Sequence, residues 1–169
     1  MTIEEAIKTA IDYETKIRDI YRDAANKVTD PSGKKFFKMM GDDEQYHVEY
    51  LMERLKLWKK TGKLHAENLK TTIPSIEIIQ KETAKVKAHM SKKDLSSEIA
   101  ILSKALKAEI ETSNFYKRMV NELPDHGQKM FARFLEIEEN HIAAVQAELD
   151  YITHTGYWFD FKEFDMEEL

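Results

Sequence analysis

The chain has 169 residues, enough for one domain with a sizeable buried core. It is 42% hydrophobic and 34% charged with a formal net charge of −5, which offers no basic surface to nucleic acid or to an acidic membrane. It contains no cysteine, which excludes disulfides, zinc ribbons, iron–sulfur clusters and a four-cysteine iron site within this chain.

Five glycines and three prolines leave long uninterrupted segments. The first helix is expected over about residues 2–28, with Glu4 and Glu5 in an acidic first turn that suits the helix dipole. Its inward stripe is Ile3, Ile7, Ala10, Glu14, Ile17, Tyr21, Ala24 and Val28, the three-and-four spacing of a helix-bundle seam. Asp30-Pro31-Ser32-Gly33 reads as a turn. The second helix runs from about Lys34 to about Lys60, with Phe37, Met40, Glu44, His47, Leu51, Leu55 and Trp58 on its stripe and Thr61-Gly62 as its stop. Residues 63–93 read as a long crossover, interrupted at Pro74, with a weaker helical pattern from Ser75 to about Met90. The third helix, about Leu95 to Leu123, carries Leu95, Leu102, Ala105, Glu109, Thr112, Tyr116, Met119 and Leu123. Pro124-Asp125-His126-Gly127 turns the chain into a fourth helix with Phe131, Phe134, Glu138, His141, Val145, Leu149 and Ile152, which stops at Thr155-Gly156. Residues 157–169 form an aromatic tail with five acids and one lysine, expected to cover the end of the bundle or a dimer mate, the alternative being a docking segment.

The two halves repeat. At an offset of 95, Glu14 and Tyr21 match Glu109 and Tyr116; at an offset of 94, Gly33, Phe37, Glu44, His47 and Leu55 match Gly127, Phe131, Glu138, His141 and Leu149. The expected fold is therefore all-α: an antiparallel four-helix bundle over residues 1–156, with repeats 3–62 and 95–156, a long crossover between helices two and three, and the tail. The start of the chain has no basic leader followed by an apolar run, and no apolar run approaches the roughly 18 residues of a membrane span, so a cytoplasmic location is expected.

Residues i and i+3 on a helix point the same way, so Glu44 converges with His47 and Glu138 with His141. All four sit in the apolar seam with Glu14 and Glu109. Four ionised carboxylates in a core are very costly unless something compensates them, and two divalent cations cancel four negative charges. Glu14, Glu44, His47, Glu109, Glu138 and His141 are thus read as one dimetal site. Carboxylate and imidazole donors suit iron, with manganese the alternative. His65, His89, His126 and His154 have no Glu three positions earlier and are read as non-ligands. Two compatible roles are open to Tyr21 and Tyr116: half-buried core aromatics, or hydroxyls that bind and orient the carboxylates. Tyr13, Tyr46 and the methionines read as packing residues, and Lys34-Lys35 and Lys92-Lys93 as solvated faces.

One Glu from each of two helices plus a Glu-x-x-His from each of two others is the ligand set of ferritin-like di-iron carboxylate proteins. The chain resembles the rubrerythrin branch of that superfamily through Ala10-Ile11-Asp12-Tyr13-Glu14 to Ile20-Tyr21 and Ala105-Leu106-Lys107-Ala108-Glu109 to Phe115-Tyr116, over about residues 3–60 and 95–152. The resemblance implies the six residues above as ligands of two iron ions, Glu44 and Glu138 as bridges, and a homodimer. It departs from the family in two respects. A rubredoxin domain is not encoded within this cysteine-free chain, so electrons are expected from a separate donor protein. The family's additional Glu on the third helix is replaced at the same-face position by Thr112; Glu111 is an open candidate that reaches the site only if the helix is overwound or bulged.

The expected activity is a di-iron oxidoreductase that reduces hydrogen peroxide. Glu14, Glu44, Glu109 and Glu138 would hold the metals and move protons while Tyr21 and Tyr116 orient them. The chain looks like the peroxide-scavenging proteins of anaerobes and microaerophiles. The alternatives are a ferroxidase that uses dioxygen, a di-iron oxidase or oxygenase acting on an organic substrate, and a metal-free structural bundle, which the buried-charge argument disfavours.

Overall fold

The computed structural model describes residues 1–85 and 94–159. Among them are five α-helices and no strand: α1 (Ile3–Lys27), α2 (Pro31–Thr61), α3 (Ile76–Lys85), α4 (Ser96–Glu122) and α5 (Asp125–Thr155). Helices α4 and α5 are the third and fourth helices of the sequence reading. The weaker helical pattern beyond residue 85, with His89 and Lys92-Lys93, and the tail from residue 160 lie outside the described residues. Among the described residues no helix is long and apolar enough to cross a membrane.

Local chemistry fixes the ends. Thr2 and Glu5 close a capping box at the start of α1. Helix α2 begins one turn before the expected start. Asp30 is its N-cap, accepting from the amides of Ser32 at 2.9 Å and Gly33 at 3.3 Å, and Pro31 takes the first helical position, where its missing N–H costs nothing. Gly62 and Gly156 adopt the left-handed conformation and end α2 and α5 with matching bonds to Trp58 and Ile152 carbonyls, both 2.8 Å. Helices α2 and α5 each have 31 residues, so the repeat extends from cap to cap.

Helix α1 packs against α2, α4 against α5, α1 against α4, and α3 against α5. The apolar stripes build two core clusters. One gathers Ile17, Tyr21, Phe37, Leu102, Val145 and Trp158; the other gathers Ile7, Leu51, Tyr116, Met119, Phe131 and Phe134. The C-terminal part of α1 thus shares a cluster with the N-terminal part of α4, and the reverse holds in the second cluster. The two helices run antiparallel.

Residues 63–75 retrace α2. Glu67 O accepts from the Tyr50 hydroxyl at 2.9 Å and from Arg54 at 3.1 Å, Asn68 O accepts from the Tyr46 hydroxyl at 3.0 Å, and Leu69 O accepts from Arg133 of α5 at 3.3 Å. Tyr46, expected to be a packing residue, is thereby also a hydrogen-bond donor to this strap. Asn68 turns the chain there with φ of 67°, a left-handed conformation that Asn tolerates better than most residues. After α5, Trp158 lies edge-on to Phe37 at 5.4 Å and Phe159 edge-on to Tyr151 at 5.4 Å, so the first aromatic residues of the tail cover the chain's own core.

Candidate metal centre

Glu14, Glu44, His47, Glu109, Glu138 and His141 are all fully buried, in a polar belt between the two apolar clusters. Their donor atoms fall into two overlapping groups, each with its atoms within 4.8 Å of one another: Glu14, Glu44, His47 and Glu138, and Glu44, Glu109, Glu138 and His141. Glu44 and Glu138 belong to both, so each group has one glutamate and one histidine of its own and two shared carboxylates. Each group can hold a metal ion.

The ring orientations follow from the hydrogen bonds. Nε2 of His47 lies 3.1 Å from the Lys70 carbonyl, which can only accept, so Nε2 carries the proton. Nε2 of His141 donates to Asp43 Oδ2 at 2.8 Å. Both Nδ1 lone pairs therefore face the carboxylates: His47 Nδ1 is 3.5 Å from Glu44 and 3.7 Å from Glu14, and His141 Nδ1 is 2.7 Å from Glu44 and 3.6 Å from Glu109 and Glu138. The two rings stack at 5.6 Å.

These donors fit a metal pair. The buried atoms with no hydrogen-bond partner among the described residues include Glu14 Oε2, Glu109 Oε2, both oxygens of Glu44 and Glu138, and Nδ1 of both histidines. Buried polar atoms are ordinarily satisfied, and here the unsatisfied ones converge. Lone pairs of imidazole and carboxylate facing each other repel unless a cation or proton lies between them. A third group, Asp43 with His47 and His141, also has close donor atoms, but its imidazole nitrogens are the Nε2 atoms already used as N–H donors, so it is a hydrogen-bond set.

With protein groups alone the cluster is overloaded. Burial and the Glu14 carboxylate raise Glu44 to about 8. Burial, then Glu109, Glu14 and Glu44, push Glu138 well up. Burial opposes charging His47, but Glu14 and Glu44 outweigh it and raise the ring to about 10; Glu44, Glu109 and Asp43 drive His141 up against the same opposition. Burial would raise Glu14, yet its contacts with Glu44, His47 and Tyr116 leave it below its ordinary value.

The tyrosines bind carboxylates, and they do so across the halves. Tyr21 of α1 donates to Glu109 of α4, and Tyr116 of α4 donates to Glu14 of α1. Seven residues advance a helix by about 10 Å, too far for either tyrosine to reach the glutamate on its own helix. Antiparallel packing of α1 and α4 puts each tyrosine level with the other helix's glutamate. Burial, and after it the charge of the accepting glutamate, raises both phenols well above their ordinary value, so they remain proton donors.

Glu111 is not brought to the site. Its side chain is 44% exposed and lies 3.6 Å from Lys16 Nζ, on a helix that is α throughout. Thr112 is buried, and its hydroxyl donates to the Ala108 carbonyl of its own helix. His65, His126 and His154 are exposed and away from the cluster. Asp43 is the functional residue the sequence reading missed. It is buried, accepts from Thr71 Oγ1 at 2.7 Å and from the Thr72 amide and hydroxyl at 2.8 and 3.1 Å, and is held well below the usual carboxylate range because hydrogen bonding and charge from His141, with His47 and Thr72, outweigh its burial. The signal was present: its counterpart at the 94-residue offset is the buried apolar Ile137, a break in the repeat next to one of the paired glutamates.

No protein-family model matches the chain, and neither a curated protein nor a solved structure does.

Proposed function

We propose that this protein is a di-iron carboxylate oxidoreductase of ferritin-like, rubrerythrin-like type that reduces hydrogen peroxide with electrons from a separate donor. In this reading the hairpins α1–α2 and α4–α5 form an antiparallel four-helix bundle, and residues 62–95 are the crossover between them. The observation that carries the reading is the convergence of buried, unpartnered carboxylate oxygens and imidazole Nδ1 atoms in two groups that share Glu44 and Glu138.

Glu14 and His47 would complete one metal position, Glu109 and His141 the other, and Glu44 and Glu138 would bridge them. When bound, a pair of iron ions supplies two-electron transfer to an O–O bond. The chain does the rest. The two apolar clusters exclude bulk water from the belt, which strengthens every charge interaction inside it. The Tyr21 and Tyr116 hydroxyls hold Glu109 and Glu14 in orientation. Asp43 and the Lys70 carbonyl fix both imidazoles with Nδ1 inward. Burial favours protons on Glu44 and Glu138 in the metal-free chain, and metal binding would displace them and leave both as carboxylate donors.

The cavities described around the bundle support a small oxidant over a bulky organic substrate. Surface cavities of about 470, 540 and 620 Å³ flank the helices, and none of these three has a ligand residue in its wall. The test is single-turnover stopped flow. Apo-protein loaded anaerobically with two Fe(II) per chain is mixed with peroxide and, separately, with air-saturated buffer while the near-ultraviolet ferric absorption is followed. Much faster oxidation by peroxide, ending at two ferric ions per chain, is the expected result. Faster oxidation by dioxygen with continued turnover of added iron would replace the peroxidase with a ferroxidase.

A further inference from the structure

The two metal positions are matched in their carboxylates and tyrosines but differ behind their histidines. His141 passes its Nε2–H to a carboxylate, Asp43, at 2.8 Å. His47 passes its Nε2–H to a neutral backbone carbonyl, Lys70 O, at 3.1 Å, while Asp43 Oδ2 is 3.6 Å away, beyond hydrogen-bond range. Helix α5 offers His47 no equivalent of Asp43, because Ile137 holds that position. An anionic acceptor on the outer nitrogen makes an imidazole a stronger metal donor than a neutral acceptor does.

Asp43 is itself held in place. The strap gives it three donors, the Thr72 amide and hydroxyl on Oδ1 and the Thr71 hydroxyl on Oδ2, so the carboxylate is fixed with Oδ2 toward His141 before any metal arrives. Through this carboxylate the strap after α2 reaches a ligand on α5, in the other half of the repeat.

Resting on the dimetal reading of the site, we infer that its two positions fill in order, the Glu109–His141 position first, and that Asp43, anchored by Thr71 and Thr72, is the positioning residue that sets this order.

The test is an anaerobic titration of the full-length apo-protein with Co(II), followed by visible absorption and calorimetry. It is paired with a crystal of protein loaded with one Co(II) per chain, in which anomalous scattering locates the metal. Two separated binding phases are expected, with the first metal beside His141. Asp43→Asn should weaken the first phase by about 10- to 100-fold and leave the second nearly unchanged. Thr71→Val should produce a smaller loss in the same phase, and Thr71→Ser should restore it; this pair keeps the test decisive if Asp43→Asn folds poorly. A merely structural role for Asp43 would weaken both phases together, and that result would overturn the inference. So would equal affinities, or a first metal beside His47. Failure to bind two metals would instead remove the dimetal reading beneath it.

Discussion

The hairpin of α1 and α2 and the hairpin of α4 and α5 agree at the residues that build the buried polar belt and differ at residues that meet the chain following each hairpin. Inward, Glu14, Tyr21, Glu44 and His47 match Glu109, Tyr116, Glu138 and His141, and the Thr-Gly stops match as well. Beside that belt and beyond it, Asp43 corresponds to Ile137, Tyr50 to Ala144, Arg54 to Glu148 and Leu64 to Trp158. Different chain follows each hairpin. After α2 comes a strap whose carbonyls and hydroxyls need partners, and Asp43, Tyr46, Tyr50 and Arg54 supply them. After α5 comes the aromatic tail, whose Phe159 amide is accepted by Glu148 at 2.9 Å. Symmetry is kept by the shared site and lost to the neighbours.

The most severe way to break the comparison is to neutralise one half. Replacing Glu138 and His141 together by leucine removes a shared carboxylate and one imidazole, so metal analysis should find neither position filled. The metal-free variant should nevertheless be more stable than the metal-free parent by about 1–4 kcal/mol in thermal or denaturant unfolding, since buried ionisable groups give way to apolar packing. A variant that still carried two metals would refute the assignment of ligands.

The charge imbalance predicts a pH effect with a definite sign. In metal-free protein Glu44 is raised from 4.5 to about 8, so between those values the folded chain holds a proton that the unfolded chain has lost, and stability falls as pH rises. His47, raised from 6.5 to about 10, contributes stability that is complete below 6.5 and is lost as pH rises through 10. Glu14 and Asp43, both lowered, act at the acid end, where stability falls with falling pH. Apo-protein should thus lose about 2 kcal/mol per pH unit from 6.5 to 8 through Glu44 and His47 together, and Glu138 and His141, both raised, act in the same direction, whereas metal binding, which releases these protons, should tighten over the same range. Unfolding curves of apo- and metal-loaded protein that stayed parallel with pH would contradict this.

Tyr21→Phe and Tyr116→Phe sharpen the symmetric part. Each leaves one buried glutamate oxygen without its donor, at a cost of about 1–3 kcal/mol in the metal-loaded protein. The two variants should be nearly equal by chemical denaturation; a large difference would mean the rungs are not equivalent.

The smallest contrast lies at the helix starts. A Cβ on Gly33 would come within 2.7 Å of the Trp158 ring, whereas one on Gly127 would meet Leu123 Cβ at 3.3 Å. Gly33→Ala should cost about 1–3 kcal/mol through overpacking. Gly127→Ala should come out near neutral, because the gain in helix propensity offsets the tighter contact. Melting temperatures of the two variants separate them.

The six buried carboxylate and imidazole residues were legible in the sequence because such a group stands out in an apolar stripe, and because each recurred at a fixed offset. The helices were legible for the same reason: their period is set by burial. Asp43 was hidden by its setting, since Asp42-Asp43 beside Glu44 reads as the edge of a solvated face. Its partners Thr71 and Thr72 lie in a segment with no period, whose course is decided by side chains on α2 rather than by its own pattern. The start of α2 was misplaced by one turn because Asp-Pro-Ser-Gly suits both a tight turn and a capped helix start, and only tertiary packing chooses between them. Glu111 was excluded by plain helix geometry, which turns a residue two positions from Glu109 toward solvent and Lys16.

The crossed rungs from Tyr21 to Glu109 and from Tyr116 to Glu14 have the form of an isologous interface, in which one residue meets a second and the second's counterpart meets the first. Such a pattern normally joins two separate copies of a chain. Here it lies inside one polypeptide. A single hairpin with a tyrosine seven residues beyond its glutamate is self-complementary, and two free copies about a twofold axis would form the same rungs and bring together the same six carboxylate and imidazole groups. Joining two copies of one such hairpin through a crossover would give the same pattern. Asp43, with Ile137 as its counterpart, is where the two halves differ directly behind the imidazoles.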